Sequence, residues 1–118
     1  MNINDFNLLV NNAISELPDE FKEKLRNISI FIKNLPDYKK NENNSLLLGL
    51  YEGIPNPYKG AYYTFIMPDK ITLYKKNIEI IADYKKIRIE DVVKAVLYHE
   101  VGHHFGFSEE DLSSYSIF

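Results

Sequence analysis

The chain has 118 residues, which suits one domain with one compact core and leaves little length for a second lobe. Its apolar and charged fractions are ordinary for a globular protein, and a net charge of -3 lacks the basic face that general nucleic-acid binding needs. Cysteine is absent, so disulfides, thiolate metal sites and cysteine nucleophiles are excluded, and a bound transition metal must draw on His, Asp or Glu.

The opening residues Met1-Asn2-Ile3-Asn4-Asp5 lack the basic-then-apolar pattern of a secretory signal. No apolar run is long enough to span a bilayer. The expected location is the cytoplasm. Ile3, Phe6, Val10, Ala13 and Leu17 recur at helical spacing and predict an amphipathic helix over residues 3–16. Pro18, Asp19 and Glu20 suit a first helical turn, so a second short helix is predicted over 18–26. Ile28, Ile30 and Ile32 alternate with Ser29, Phe31 and Lys33, which reads as a strand stopped by Pro36. Residues 37–45 are polar and read as a loop, and residues 46–51 as a short buried strand. Residues 53–60, with two prolines and two glycines, read as another loop. Residues 61–66 and 71–75 are expected as strands flanking a turn at Met67-Pro68-Asp69. Residues 77–83 fit either a helical turn or a strand, and residues 84–87 a connection.

The strongest helix runs over residues 88–105. Glu90 and Asp91 sit near its start, where the helix dipole favours acids, and Gly106 ends it. The order of elements implies an α+β domain with an antiparallel or mixed sheet, spanning residues 1–118.

That helix carries His99-Glu100-Val101-Gly102-His103, an HExxH motif. Residues four apart lie about 40° apart around a helix, so both imidazoles share one side and can hold one Zn²⁺ at about 2.0–2.1 Å. Glu100 projects about 100° round from His99 and can act as general base on a zinc-activated water. Residues 95–99 carry no Asp, Glu, Lys or Arg, which predicts burial on most of the surface. Two imidazoles and a carboxylate in such surroundings would be costly unless paired or metal-bound. The three histidines of the chain, His99, His103 and His104, are clustered here. The competing reading is a chance HExxH whose histidines are merely hydrogen-bonded. His104 points away from His103 and reads as a supporting or packing residue rather than a ligand. A tetrahedral catalytic site needs a third protein ligand. Glu109 is favoured, with Asp111 second and Glu110 also close. Against them, Ser108-x-x-Asp111 looks like a capping box opening a last short helix.

From His99 to Glu109 the sequence resembles the HExxHxxGxxD signature of the small Asp-zincin-like bacterial proteins often called minimal zincins. Leu48-Gly49-Leu50-Tyr51-Glu52-Gly53-Ile54-Pro55 and Pro68-Asp69-Lys70-Ile71-Thr72-Leu73-Tyr74 are similar to recurring stretches there. The resemblance implies a zincin-like fold, a small twisted sheet packed on helices with the motif helix beneath it. It implies zinc ligation by His99 and His103, with Glu100 as general base. The aspartate ligand of the family falls at Glu109, which keeps the carboxylate on a longer stem. Met1 and Met67 both precede the motif, so there is no methionine turn below the metal. Tyr115 takes the place of the C-terminal tyrosine that supports the site in such proteins, or else simply caps the core.

The short segment after Gly106 predicts a shallow, open cleft that takes an extended peptide along an edge strand, with residues 61–66 or 71–75 as candidates. Tyr62, Tyr63 and Tyr74 either line that groove or pack on the sheet. The expected activity is that of a zinc peptidase with one ion per chain, acting on a peptide or protein, with no nucleic acid or membrane partner and a homodimer as an option. The alternatives are a non-catalytic metal-binding regulatory module and a metal-free interaction scaffold.

Overall fold

The computed structural model describes residues 1–37, 46–53 and 69–104, with the backbone alone at His103 and His104. Helix α1 (Ile3–Ser15) starts where the Asn2 side chain accepts the Asp5 amide at 2.8 Å, satisfying one of the donors left open in a first turn. Phe6, Val10, Ala13 and the following Leu17 are buried as their spacing predicts, whereas Ile3 is exposed. Helix α2 (Asp19–Leu25) begins one residue later than expected, because Pro18 acts as its N-cap; Phe21 and Leu25 face inward.

Strands β1 (Ile28–Lys33), β2 (Gly49–Glu52) and β3 (Asp69–Tyr74) form a mixed sheet in the order β1-β3-β2. β1 runs parallel to β3 and β2 antiparallel to it. This corrects two expectations. The buried strand placed at residues 46–51 starts at Gly49, and Leu46 is exposed. The segment 71–75 is not an edge strand: β3 is paired on both sides, so its backbone groups are already used and no peptide can be added to it. The loop expected over 37–45 and the strand expected over 61–66 fall largely or wholly outside the described residues, as do Tyr62 and Tyr63.

Residues 77–83 are helical, inside α3 (Lys75–Lys85), which also takes up part of the connection expected at 84–87. The start of α3 is stitched to two other segments. Its Lys76 amide donates to the Asn34 carbonyl at 3.1 Å, and the buried Asn77 side chain donates to the Leu47 carbonyl at 2.8 Å. At its other end Lys86 adopts the left-handed conformation (φ 55°, ψ 47°), and the Ile87 amide reaches back to the Ala82 carbonyl at 3.0 Å.

Helix α4 (Ile89–His104) opens with acids in its first turn and contacts α1, α2, α3 and β2. Val92, Val93, Ala95, Val96, Leu97 and Tyr98 are all buried, so the helix is enclosed through its middle except where Lys94 reaches the surface. Ile71 and Leu73 of β3 complete this core with no exposure. Lys94 pairs with Glu16, which ties α4 to the end of α1 and holds the Glu16 carboxyl below its ordinary value, first by their hydrogen bond and then by charge. Among the described residues no helix is long and apolar enough to cross a membrane.

A side chain at Lys86 carries a steric penalty that glycine avoids. Lys86→Gly is expected to stabilise the fold by about 0.5–1 kcal/mol, after allowing for the greater freedom glycine has in the unfolded chain. A melting temperature unchanged or lowered in calorimetry would refute this.

Candidate metal centre

Burial along α4 changes abruptly at its end. Tyr98 is buried, only 7% exposed, and its ring meets the Phe21 ring of α2 edge-on, with centroids 4.4 Å apart. His99 is exposed and Glu100 half-buried, whereas Val101 and Gly102 are again buried. The expectation that both imidazoles and the carboxylate sit within an apolar interior is therefore wrong for His99. The charge-free run of α4 is covered on all sides only as far as Tyr98, and the side carrying His99 then opens to solvent.

Helical geometry says which side this is. Positions 92, 96, 99 and 103 are separated by four, three and four residues and fall on one stripe. The first part of that stripe faces the sheet. A Cβ placed on Gly49 would lie 2.6 Å from Val96 Cγ1 and 3.3 Å from the Thr72 carbonyl oxygen, so β2 rests directly on α4 because position 49 has no side chain. One turn further along the same stripe come His99 and the backbone position of His103. Strand β2 thus crosses the helix immediately before the two histidine positions.

Glu100, one residue round from His99, is half-buried beside this stripe. An exposed imidazole with a neighbouring carboxylate, on a helix that repeats the imidazole four residues on, is a donor set that suits zinc. Among the described residues no three His, Asp or Glu side chains form a group that could hold a metal ion. The side chains of His103 and His104, and Gly106, Glu109, Glu110, Asp111 and Tyr115, lie outside the described residues. The ligand set expected from the sequence is therefore represented here by His99, with Glu100 beside it.

Two features near the stripe escaped sequence reasoning. One is Gly49. The other is a bond between neighbouring strands, in which the Tyr51 hydroxyl donates to Asp69 Oδ2 at 2.5 Å. The signal for both was the pair of glycines bracketing Leu50-Tyr51-Glu52, since glycine in or beside a strand marks a close approach. Burial, with the Asp69 hydrogen bond and charge next in order, pushes the Tyr51 phenol above its ordinary value. Tyr74, the last residue of β3, is buried; burial and then the charges of Glu52 and Asp37 raise its phenol too.

A sequence model of zincin-like metallopeptidases matches residues 25–116, more than three quarters of the chain. The structure resembles that of a conserved hypothetical protein from Thermo thermophilus, with a TM-score of 0.57 and 23% identity over 96% of this chain and 98% of that one. That likeness shows a shared fold. No curated protein matches the chain.

Two outcomes are expected. Gly49→Ala should destabilise the protein by about 1–3 kcal/mol in denaturant titration, and much less in a Val96→Ala background, where the clashing methyl is gone; equal losses in both backgrounds would show that the contact with α4 is not the cause. Tyr51 and Tyr74 ionise more readily unfolded than folded, so the stability they confer is complete below pH 10, their ordinary value, and drains as pH rises further. At neutral pH wild type should exceed Tyr51→Phe by about 1–3 kcal/mol. That margin should shrink above pH 10; a constant margin would contradict the assignment.

Proposed function

Because the chain belongs to the zincin-like metallopeptidase family, we propose that it is a zinc-dependent peptidase whose single metal ion is held by His99, His103 and a carboxylate beyond Gly106, with Glu109 as the first choice and Asp111 the second. The observation that carries this reading is the stripe on α4. Its buried part packs under β2, and its continuation sets His99 at the surface with Glu100 beside it.

When bound, zinc lowers the pKa of a coordinated water from 15.7 towards about 7 and polarises a carbonyl oxygen. The remaining work falls to side chains of the chain. Glu100, half-buried at the edge of the stripe, takes the proton of the attacking water and hands it to the departing amine. Tyr98, wedged against Phe21, and the buried Val101 keep the helix turn that carries Glu100 and His99 from shifting. His104 and Tyr115 are assigned supporting roles around the ligands.

The correction at β3 moves the expected peptide track. Among the described residues the antiparallel edge strand is β2, and it is the strand that lies on α4 one turn before His99. An extended peptide aligned along β2 would bring a backbone carbonyl over the histidine stripe. The substrate class is therefore an unstructured peptide or protein segment.

Metal analysis and digestion of an unstructured protein test the proposal together. Wild type should bind about one zinc per chain and cleave in a chelator-sensitive way. His103→Ala should lose the metal. Glu100→Gln should retain it while cleavage falls by about 10²–10⁴-fold. Zinc without cleavage would leave a metal-binding module, and equal cleavage by wild type and Glu100→Gln would remove Glu100 from the chemistry.

A further inference from the structure

Gly49 and Tyr51 pair with Leu73 and Ile71, both without exposure, so they lie on the sheet face that α4 covers. Asp69 is the next residue on that face of β3, and it is only 8% exposed. The Tyr51 hydroxyl reaches it diagonally across the two strands at 2.5 Å. A Cβ at Gly53 would lie 2.7 Å from Tyr51 Cε1, 3.2 Å from its hydroxyl and 3.3 Å from Asp69 Oδ1. The ring therefore closes directly over the backbone at Gly53, where the chain leaves β2. Tyr51, Asp69 and Gly53 form one latch at the end of the strand, opposite the Gly49 contact with α4. An apolar pair would hold two strands together at least as well as a buried carboxylate and a phenol. What the hydrogen bond adds is geometry: it sets one distance and one direction between β2 and β3.

We propose that Tyr51, held by Asp69 and Gly53, is a positioning residue for an extended peptide substrate: it fixes β2 as a rigid template along which several substrate residues are aligned beside the histidine stripe. This inference rests on the peptidase reading above. A template strand acts on a substrate in proportion to the length of substrate it pairs with. Four strand residues span about 13 Å, and a dipeptide spans at most about 7 Å, so a long peptide uses the template and a dipeptide scarcely touches it.

The test compares an octapeptide with a blocked dipeptide amide, using wild type, Tyr51→Phe and Gly53→Ala, each as the full chain with zinc. Gly53→Ala forces the ring off Asp69 without changing the tyrosine. For both variants kcat/KM on the octapeptide should fall about tenfold, mostly through KM, with a distinctly smaller loss on the dipeptide. Zinc content should stay at the wild-type level. Equal losses on the two substrates, or no loss on either, would overturn the proposal while leaving the peptidase reading intact, because a general loss of folded protein cannot depend on peptide length. Failure of both variants to fold would likewise make the latch purely structural and overturn it. Wild type that cleaves neither substrate would instead overturn the peptidase reading, and this inference with it.

Discussion

The contact between Gly49 and Val96 governs how the rest of the molecule is arranged. Most strands packed on a helix are held off by side chains from both partners. Here one partner contributes a hydrogen, so the backbone of β2 sits against a valine methyl of α4. Protein interiors are close-packed, and such a contact admits few alternative distances. With that distance set, the direction of α4 under the sheet and the place where its end emerges are set as well. The other supports of α4 point the same way: Lys94 pairs with Glu16 at the end of α1, Phe21 of α2 meets Tyr98, and α3 packs along the helix.

The resulting helix is divided in function. Its middle, from Val92 to Tyr98, supplies the core, with valines and a leucine that have almost no exposure. Its last turn and a half carries the histidine positions and Glu100. Because both parts belong to one unbroken helix, the rigidity of the core passes directly to His99 and Glu100. A site built on a packed helix keeps its geometry better than one built on a loop. The side of the helix that carries His99 is open to solvent.

Much of this was legible in the sequence, for identifiable reasons. The stripe from Phe6 to Leu17, the alternation of Ile28, Ile30 and Ile32 and the long apolar run of α4 are periodic patterns written in consecutive residues, and they lie where the periodicity puts them. The family was legible from the motif and its flanking stretches. The central position of β3 was not. A strand becomes central through its partners, and nothing within Asp69–Tyr74 names β1 on one side and β2 on the other. Helix α3 was obscured because Asn77, polar and ambiguous by composition, is buried through a bond to Leu47, thirty residues away in the chain. The exposure of His99 was misjudged because a charge-free run says nothing about where its covering elements stop. The candidates for a third ligand, Glu109, Glu110 and Asp111, lie outside the described residues.

The strand order has a consequence for how the chain reaches this state. β1 and β2 come first along the sequence, yet they share no hydrogen bonds; both wait for β3, which is inserted between them. Ile28 pairs with Asp69, which lies beyond β2 in the chain. Among the described residues, a nascent chain that ends before β3 therefore holds two strands with no ladder to join, and one that ends before α4 lacks the helix against which Gly49 packs. Closing such distant pairings is slow relative to forming helices, since chain entropy is lost before contacts offset it. The insertion of β3 between its two neighbours is therefore the step of sheet formation that asks most of chain entropy.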